Sequence, residues 1–362
     1  MRSRVAALVA LAALIAFVAW LFARAPATTT PPTPDAAPAA VVAQPSPVVA
    51  RPSPPAPDVT PPAPDVAPPA PPAVVVRGRW GTQPGEFGHT APTEGNPEGP
   101  MAFAVAPDGS VAVLDTQNRR VQRFANGRFV SSFALATGAA QDLAVTPDGR
   151  LVSLDRLAAA TVTLHGPDGT PAGSARLVGG PITEGGAVTA VFADAQGVYV
   201  EREHREVVRV LDASGREDPA RPTLWGRPSR DGRQLLRAAI DDRMGGVVRV
   251  SVAARSNGAM DWSTAVPLGA PVLQLLMLDS DAAGRVYVAA ETGTPTADGV
   301  RDAAVVAVRL DTTGAVTGTL SLPAPSGPEE VFRQMSVDDA GALYVMVMTL
   351  EGVEVRRDAF EP

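Results

Sequence analysis

The sequence contains no cysteine and no lysine; all 31 of its basic residues are arginine. Without a thiol there is no disulfide, no thiolate metal site and no cysteine nucleophile. Without a side-chain amine, Schiff-base and lysine general-base chemistry are excluded. Histidine is scarce as well, limited to His89, His165 and His204. No two have metal-ligand spacing and no HExxH occurs, so each is read as a surface residue. No G-x-S-x-G elbow offers a serine nucleophile. The glycine-rich stretch 81–88 (GTQPGEFG) does not join a strand to a helix, so it is not a phosphate loop.

Positive charge is also in deficit. The net charge is −7, and the first 76 residues hold four Arg and three Asp, which leaves the remainder at −8. The arginines there are scattered rather than clustered, so no nucleic-acid partner is expected. Arginine in place of lysine, with abundant Ala, Pro, Val and Gly, points to the coding bias of a GC-rich bacterial genome.

Proline, by contrast, is concentrated: 18 of the 37 lie within residues 25–76. Proline lacks a backbone donor and fixes φ, so such a tract forms neither helix nor central strand. The chain is therefore read as three parts: residues 1–24, a Pro/Ala-rich disordered linker at 25–72, and a globular part at 73–362. PPAPDV occurs at 54–59 and again at 61–66. This favours polyproline II at ~3.1 Å per residue, hence a spacer.

Ahead of the linker, Arg2 and Arg4 precede an uncharged run from Val5 to Ala23, and Arg24 follows it. Nineteen apolar residues at ~1.5 Å each span about 28 Å, close to the hydrocarbon core of a bilayer. The run predicts a single transmembrane signal anchor. The arginines ahead of the run keep its N-terminus in the cytoplasm and the globular part extracytoplasmic, in the periplasm. A cleaved signal peptide is the alternative, with small residues at Ala23 and Ala25, and would release a secreted protein.

The globular part repeats itself. FAVAPDGSVAVLD (103–115) is echoed by LAVTPDGRLVSLD (143–155) and, more weakly, by VFADAQGVYVER (191–202), PSRDGRQLLRAAI (228–240), LMLDSDAAGRVYVAA (276–290) and MSVDDAGALYVMV (335–347). Each is an apolar strand, a tight turn with glycine and a second strand. The glycines are Gly109, Gly149, Gly197, Gly232, Gly284 and Gly341. Glycine suits these turns because they require φ > 0. A second hairpin follows in each of the first five units. Four antiparallel strands per unit predict an all-β, six-bladed β-propeller. Unit six lacks a fourth strand, and AVVVRGRWG (73–81) is an orphan, so pairing the two closes the ring.

The segments RWGTQPGEFG (79–88) and PMAFAVAPDGSVAVLDTQNRRVQRF (100–124) resemble an NHL repeat. Trp80, Gly81, Gly85, Phe87, Gly109, Asp115, Asn118, Arg119 or Arg120, Gln122 and Phe124 occupy that family's positions. The likeness fades after blade one. It implies a six-bladed ring. The loops after several second strands begin with an acid (Asp115, Asp155, Glu201 or Glu203, Asp241 and Glu291). Lactonase-like relatives that hold a metal in the channel imply an alternative, a Ca²⁺-dependent hydrolase using Asp115, Asp155, Asp241 and Glu291. Against that stands the ordinary task of Asp in turns, accepting hydrogen bonds from its own loop.

The leading expectation is a non-catalytic, membrane-tethered, monomeric binding or scaffold module. Its partner would be a protein or a cell-envelope polymer met on one face. The loops 88–99 and 291–302 are expected there, with Glu94, Asn96, Arg227, Arg230, Gln274, Glu330 and Arg333.

Overall fold

A computed structural model describes residues 72–360 apart from 92, 93 and 326. The anchor, the cleavage sites and nearly all of the linker lie outside the described residues. Among the described residues no helix is long and apolar enough to cross a membrane.

The first strand, β1 (Ala73–Arg79), belongs to the last of six four-stranded antiparallel sheets. Blade 1 is β2 (Ala102–Val105), β3 (Val111–Asp115), β4 (Arg120–Ala125) and β5 (Arg128–Ala134). Blade 2 is β6 (Asp142–Val145), β7 (Leu151–Asp155), β8 (Thr161–His165) and β9 (Pro171–Arg176). Blade 3 is β10 (Val188–Asp194), β11 (Gly197–Arg202), β12 (Glu206–Asp212) and the two-residue β13 (Thr223–Leu224). Blade 4 begins with another two-residue strand, β14 (Arg227–Pro228), then β15 (Gln234–Asp242), β16 (Val247–Ala254) and β17 (Met260–Pro267). Blade 5 is β18 (Val272–Ser280), β19 (Val286–Thr296), β20 (Gly299–Leu310) and β21 (Val316–Pro323). Blade 6 is β22 (Met335–Val337), β23 (Leu343–Met348) and β24 (Gly352–Asp358), completed by β1.

The closing pair is antiparallel and runs from Ala73↔Arg357 to Arg79↔Gly352. Neighbouring inner elements touch in a closed cycle: β2 with β6, β6 with β10, β10 with β14, β15 with β18, β18 with β22, and β22 with β2. The chain is thus a six-bladed propeller latched by its first strand, and all six turn glycines have positive φ, from 70° to 148°. The turns between first and second strands lie on one face, called lower here. The upper face carries the connections between second and third strands and those between blades.

Most seams between blades are sealed with apolar side chains. Val76, Phe87, Phe103 and Phe124 pack with Tyr344 and Val355 between blades 6 and 1. Leu114 and Leu143 seal blades 1 and 2, Leu154 and Val200 blades 2 and 3, Val250 and Val288 blades 4 and 5, and Ala289 and Leu343 blades 5 and 6. No such cluster joins blades 3 and 4 among the described residues.

Three departures from expectation concern the elements. The segment 291–302 is not a loop but the end of a long hairpin, β19 and β20, turning at 297–298. Residues 216–222 separate the turn after β12 (ASG, 213–215) from the fourth strand of blade 3, held partly by Arg209–Asp218 (2.7 Å). His165 is buried rather than exposed: its ring stacks on Phe133 and meets the Ser153 hydroxyl at 2.8 Å.

Candidate functional site

The open seam follows from the sequence of blade 4. In β15 the even positions Leu236, Ala238 and Ile240 turn towards blade 5 with Val248, Val250 and Val252 of β16. The odd positions Arg237, Ala239 and Asp241, beside Arg249 and Ser251, turn towards blade 3. Side chains alternate across a strand, so this sheet has one apolar and one polar face. Blade 3 answers with Tyr199 and Glu201 of β11, which reach blade 4 through charge rather than apolar contact.

Two ionic contacts tie the seam. At its lower end Arg255 reaches Asp194 and the Tyr199 hydroxyl, and Tyr199 donates to Asp194 Oδ1 at 3.0 Å. Burial and the Asp194 charge push the Tyr199 phenol up to about 12. Towards the channel Arg227 holds Glu201 with two contacts, at 2.8 and 3.1 Å. Burial alone would raise the Glu201 carboxyl. The Arg227 charge and hydrogen bonds from His204 and Arg227 outweigh it and bring the pKa to about 2.

Above these ties lies a cleft of about 940 Å³, opening from the seam into the upper channel. Its shape follows from the crossover. Only Trp225 and Gly226 link β13 to β14, and β14 pairs β15 only at Leu235 and Leu236. From Arg237 to Asp242, β15 therefore has no strand on its inner edge among the described residues. Trp225 stands beneath the Arg237 guanidinium, 5.1 Å from its ring centroid.

The channel is half apolar and half ionic. On blades 1 to 3 its lower part is lined by residues such as Phe103, Val105, Leu143 and Val145; on blades 4 to 6 it is lined by Arg230, Asp279, Arg333 and Asp339. Arg333 grips the buried Asp142 with two bonds of 2.7 Å and donates to the Val191 carbonyl at 2.9 Å. Burial opposes the Arg333 charge, and Asp142 more than offsets it, so its pKa rises. Arg227 and Arg333 both face the Phe192 ring, at 5.0 and 5.5 Å. Asp142 also accepts from Val191 N–H, as Asp279 does from Val337 N–H (3.0 Å), so each acid stitches two neighbouring inner strands.

Of the expected binding residues, Arg227, Gln274 and Arg333 line this one cleft. Glu94, Asn96 and Glu330 stand exposed on the upper connections over blades 6 and 1, where Glu330 N–H bonds the Pro97 carbonyl. Arg230 departs from expectation: it sits in the turn between β14 and β15, on the lower face. There it bonds the Ser280 carbonyl (3.0 Å) and contacts Asp279 and Asp339 at 3.3 and 3.2 Å.

The four acids expected of a Ca²⁺ site do not converge. Asp115 is fully buried in blade 1 and accepts from Gly88 N–H, Asn118, Arg120 and Gln122 at 2.8 to 3.1 Å. Asp155 accepts from the amides of Ala158 and Ala159, while its other oxygen is buried without a partner among the described residues. Asp241 and Glu291 lie within strands and meet Arg249 and Gln274. Among the described residues no three of His, Cys, Asp or Glu form a metal-holding group.

Sequence reading alone passed over Asp142, Phe192, Trp225, Arg237 and Asp279. A signal was present: QLLRAAIDD and VVRVSVAA alternate polar with apolar, where VAVLD and VYVAAE in other blades are apolar on both faces. A blade wedged between two others needs two apolar faces; this one has one.

No family model and no curated protein matches the chain. Among solved structures it is similar to the hydrazine synthase of Kuenenia stuttgartiensis (14% identity, TM-score 0.48), over 71% of this chain and 76% of that one. It is similar to a gluconolactonase of Xanthomonas campestris (16%, TM-score 0.43), over 72% and 86%. It is also similar to a virginiamycin B lyase of Staphylococcus aureus (11%, TM-score 0.38), over 72% and 94%. At such identities the fold rests on the chain's own strand pairing.

Proposed function

We propose that the chain is a non-catalytic binding module that receives its partner in the cleft between blades 3 and 4. The observation that carries this reading is the unsealed seam. Five seams are packed with apolar side chains, and closing a sixth with Leu or Val would have been the stabilising choice at ~25 cal/mol per Å² buried. A polar, arginine-lined opening instead suits recognition, because concave sites carry a few fixed polar groups on a preformed scaffold. The carboxylates nearest the channel are engaged by arginine and backbone N–H groups, which favours binding over acid–base chemistry.

Two further features belong to the same proposal. The run Val5–Ala23 and the proline tract support an extracytoplasmic module tethered to the membrane. Blade 1 is read as NHL-like, supported by Asp115, Asn118, Arg120 and Gln122, which clasp the main chain of residues 81–88.

Site-specific photo-crosslinking in the producing cells tests the module. A crosslinker replacing Gln274, in the cleft wall, should give a discrete adduct. One replacing Arg233, exposed on the lower face, should give none. Absence of an adduct at Gln274, or the same adduct from both positions, would overturn the reading.

A further inference from the structure

The cleft offers an unpaired strand edge beside a concentration of arginine, and together these define a ligand class. Ser229 N–H donates to the Gln234 carbonyl at 2.9 Å, which fixes the even residues of β15 as those whose N–H and C=O point inward. Pro228, which has no N–H, falls opposite Leu235, a residue pointing the other way. Beyond Leu236, Ala238 and Ile240 present their inward peptide groups to the cleft, and neither has a hydrogen-bond partner on that side among the described residues. An unmet edge of this kind is a template for another strand.

The charge around it selects the strand. Six arginines line the cleft against three carboxylates, Asp142, Glu201 and Asp279. Arg227 and Arg333 are matched by Glu201 and Asp142, and Arg249 pairs with Asp241. Arg205 is exposed and Arg237 lies over the Trp225 ring, while Arg243 bonds the Val272 and Leu273 carbonyls. Among the described residues these three guanidinium groups meet no carboxylate, on a domain whose overall charge is negative.

We infer that the cleft captures an extended acidic peptide, added as an inner strand that continues the line of β14 along Ala238–Ile240, with its carboxylates reaching Arg205, Arg237 and Arg243. This rests on the cleft being the binding site. Main-chain pairing supplies affinity that is indifferent to side chain, and the arginines supply the preference for Asp and Glu.

The test uses the full chain and a fluorescein-labelled nine-residue peptide alternating Val with Glu, read by anisotropy. Saturable binding is expected, at least tenfold weaker for the Val–Lys counterpart. Ala238→Pro deletes an inward N–H that the fold does not use, since the β15–β16 ladder is made by the odd residues. It should weaken binding about tenfold. N-methylating alternate residues along one edge of the peptide should do the same with the protein unaltered, which decides the matter should the proline variant fail to fold. Amide exchange at Ala238 and Ile240 should slow on binding. Failure of the acidic peptide to bind, equal binding of the lysine peptide, or indifference to N-methylation would each overturn the inference. A crosslinked adduct at Gln274 alongside any of these leaves the module standing with a different ligand class; loss of the adduct removes the module itself.

Discussion

All three tyrosines of this chain perform one task. Tyr199, Tyr287 and Tyr344 each stand on the second strand of a blade and donate to the aspartate that opens the preceding turn: Asp194, Asp281 and Asp338. An arginine completes each set: Arg255, Arg285 and Arg357. A buried carboxylate without such partners is costly, so the hydroxyl matters more than the ring's bulk. Tyr287→Phe should cost about 1–3 kcal/mol in denaturant unfolding, with the fold retained. A second consequence concerns acid. Glu201 has a folded pKa of about 2 against an ordinary 4.5. A depressed pKa stabilises the fold fully above the unfolded value, and the benefit fades as pH falls towards the folded one. The melting temperature should therefore decline between pH 4.5 and about 2. Arg227→Gln, which removes the guanidinium and leaves Glu201 only the weaker contacts with Thr189 and His204, should lower stability at pH 7 and flatten that decline. A parallel pH profile for variant and wild type would refute the assignment.

Among the elements, β1 is the most constrained. Gly78 pairs with Val353, and a Cβ there would fall 2.2 Å from the Gly85 carbonyl oxygen and 2.6 Å from the Phe87 ring. Backbone cannot yield as a flexible side chain does, so Gly78→Val should loosen the latch. Melting would be expected to fall by several degrees, with exchange rising first in β1 and β24. The latch was legible in the sequence because AVVVRGRWG had no partner of its own and blade 6 was a strand short. The turn glycines were equally legible, since each requires φ that a Cβ disfavours. The cleft was not, because it arises from an omission. β14 stops after two residues: the little room between Leu224 and the turn at Gly232 does signal a cramped first strand, but not that it leaves an edge of β15 open. Arg230 was assigned to the wrong face for the same reason: the turn begins so soon after β14 that a residue expected near the channel mouth lies at its floor.

At the scale of the ring, one seam differs in kind from the other five. Ionic ties in partly wetted surroundings resist opening less than buried apolar surface does. Native-state hydrogen exchange should find the lowest opening energy along β14, β15 and the facing part of β11, and the highest in blades 1 and 2. Uniform protection around the ring would refute this. The closure by β1 also dictates an order of events. Ala73–Arg79 are synthesised before any blade, yet their partner Gly352–Asp358 follows all the others. The wheel cannot be completed progressively from one end. The leading strand waits, unsatisfied and sticky, while five sheets assemble behind it, and a nascent chain held by its N-terminus would carry that exposed edge until the final hairpin emerges.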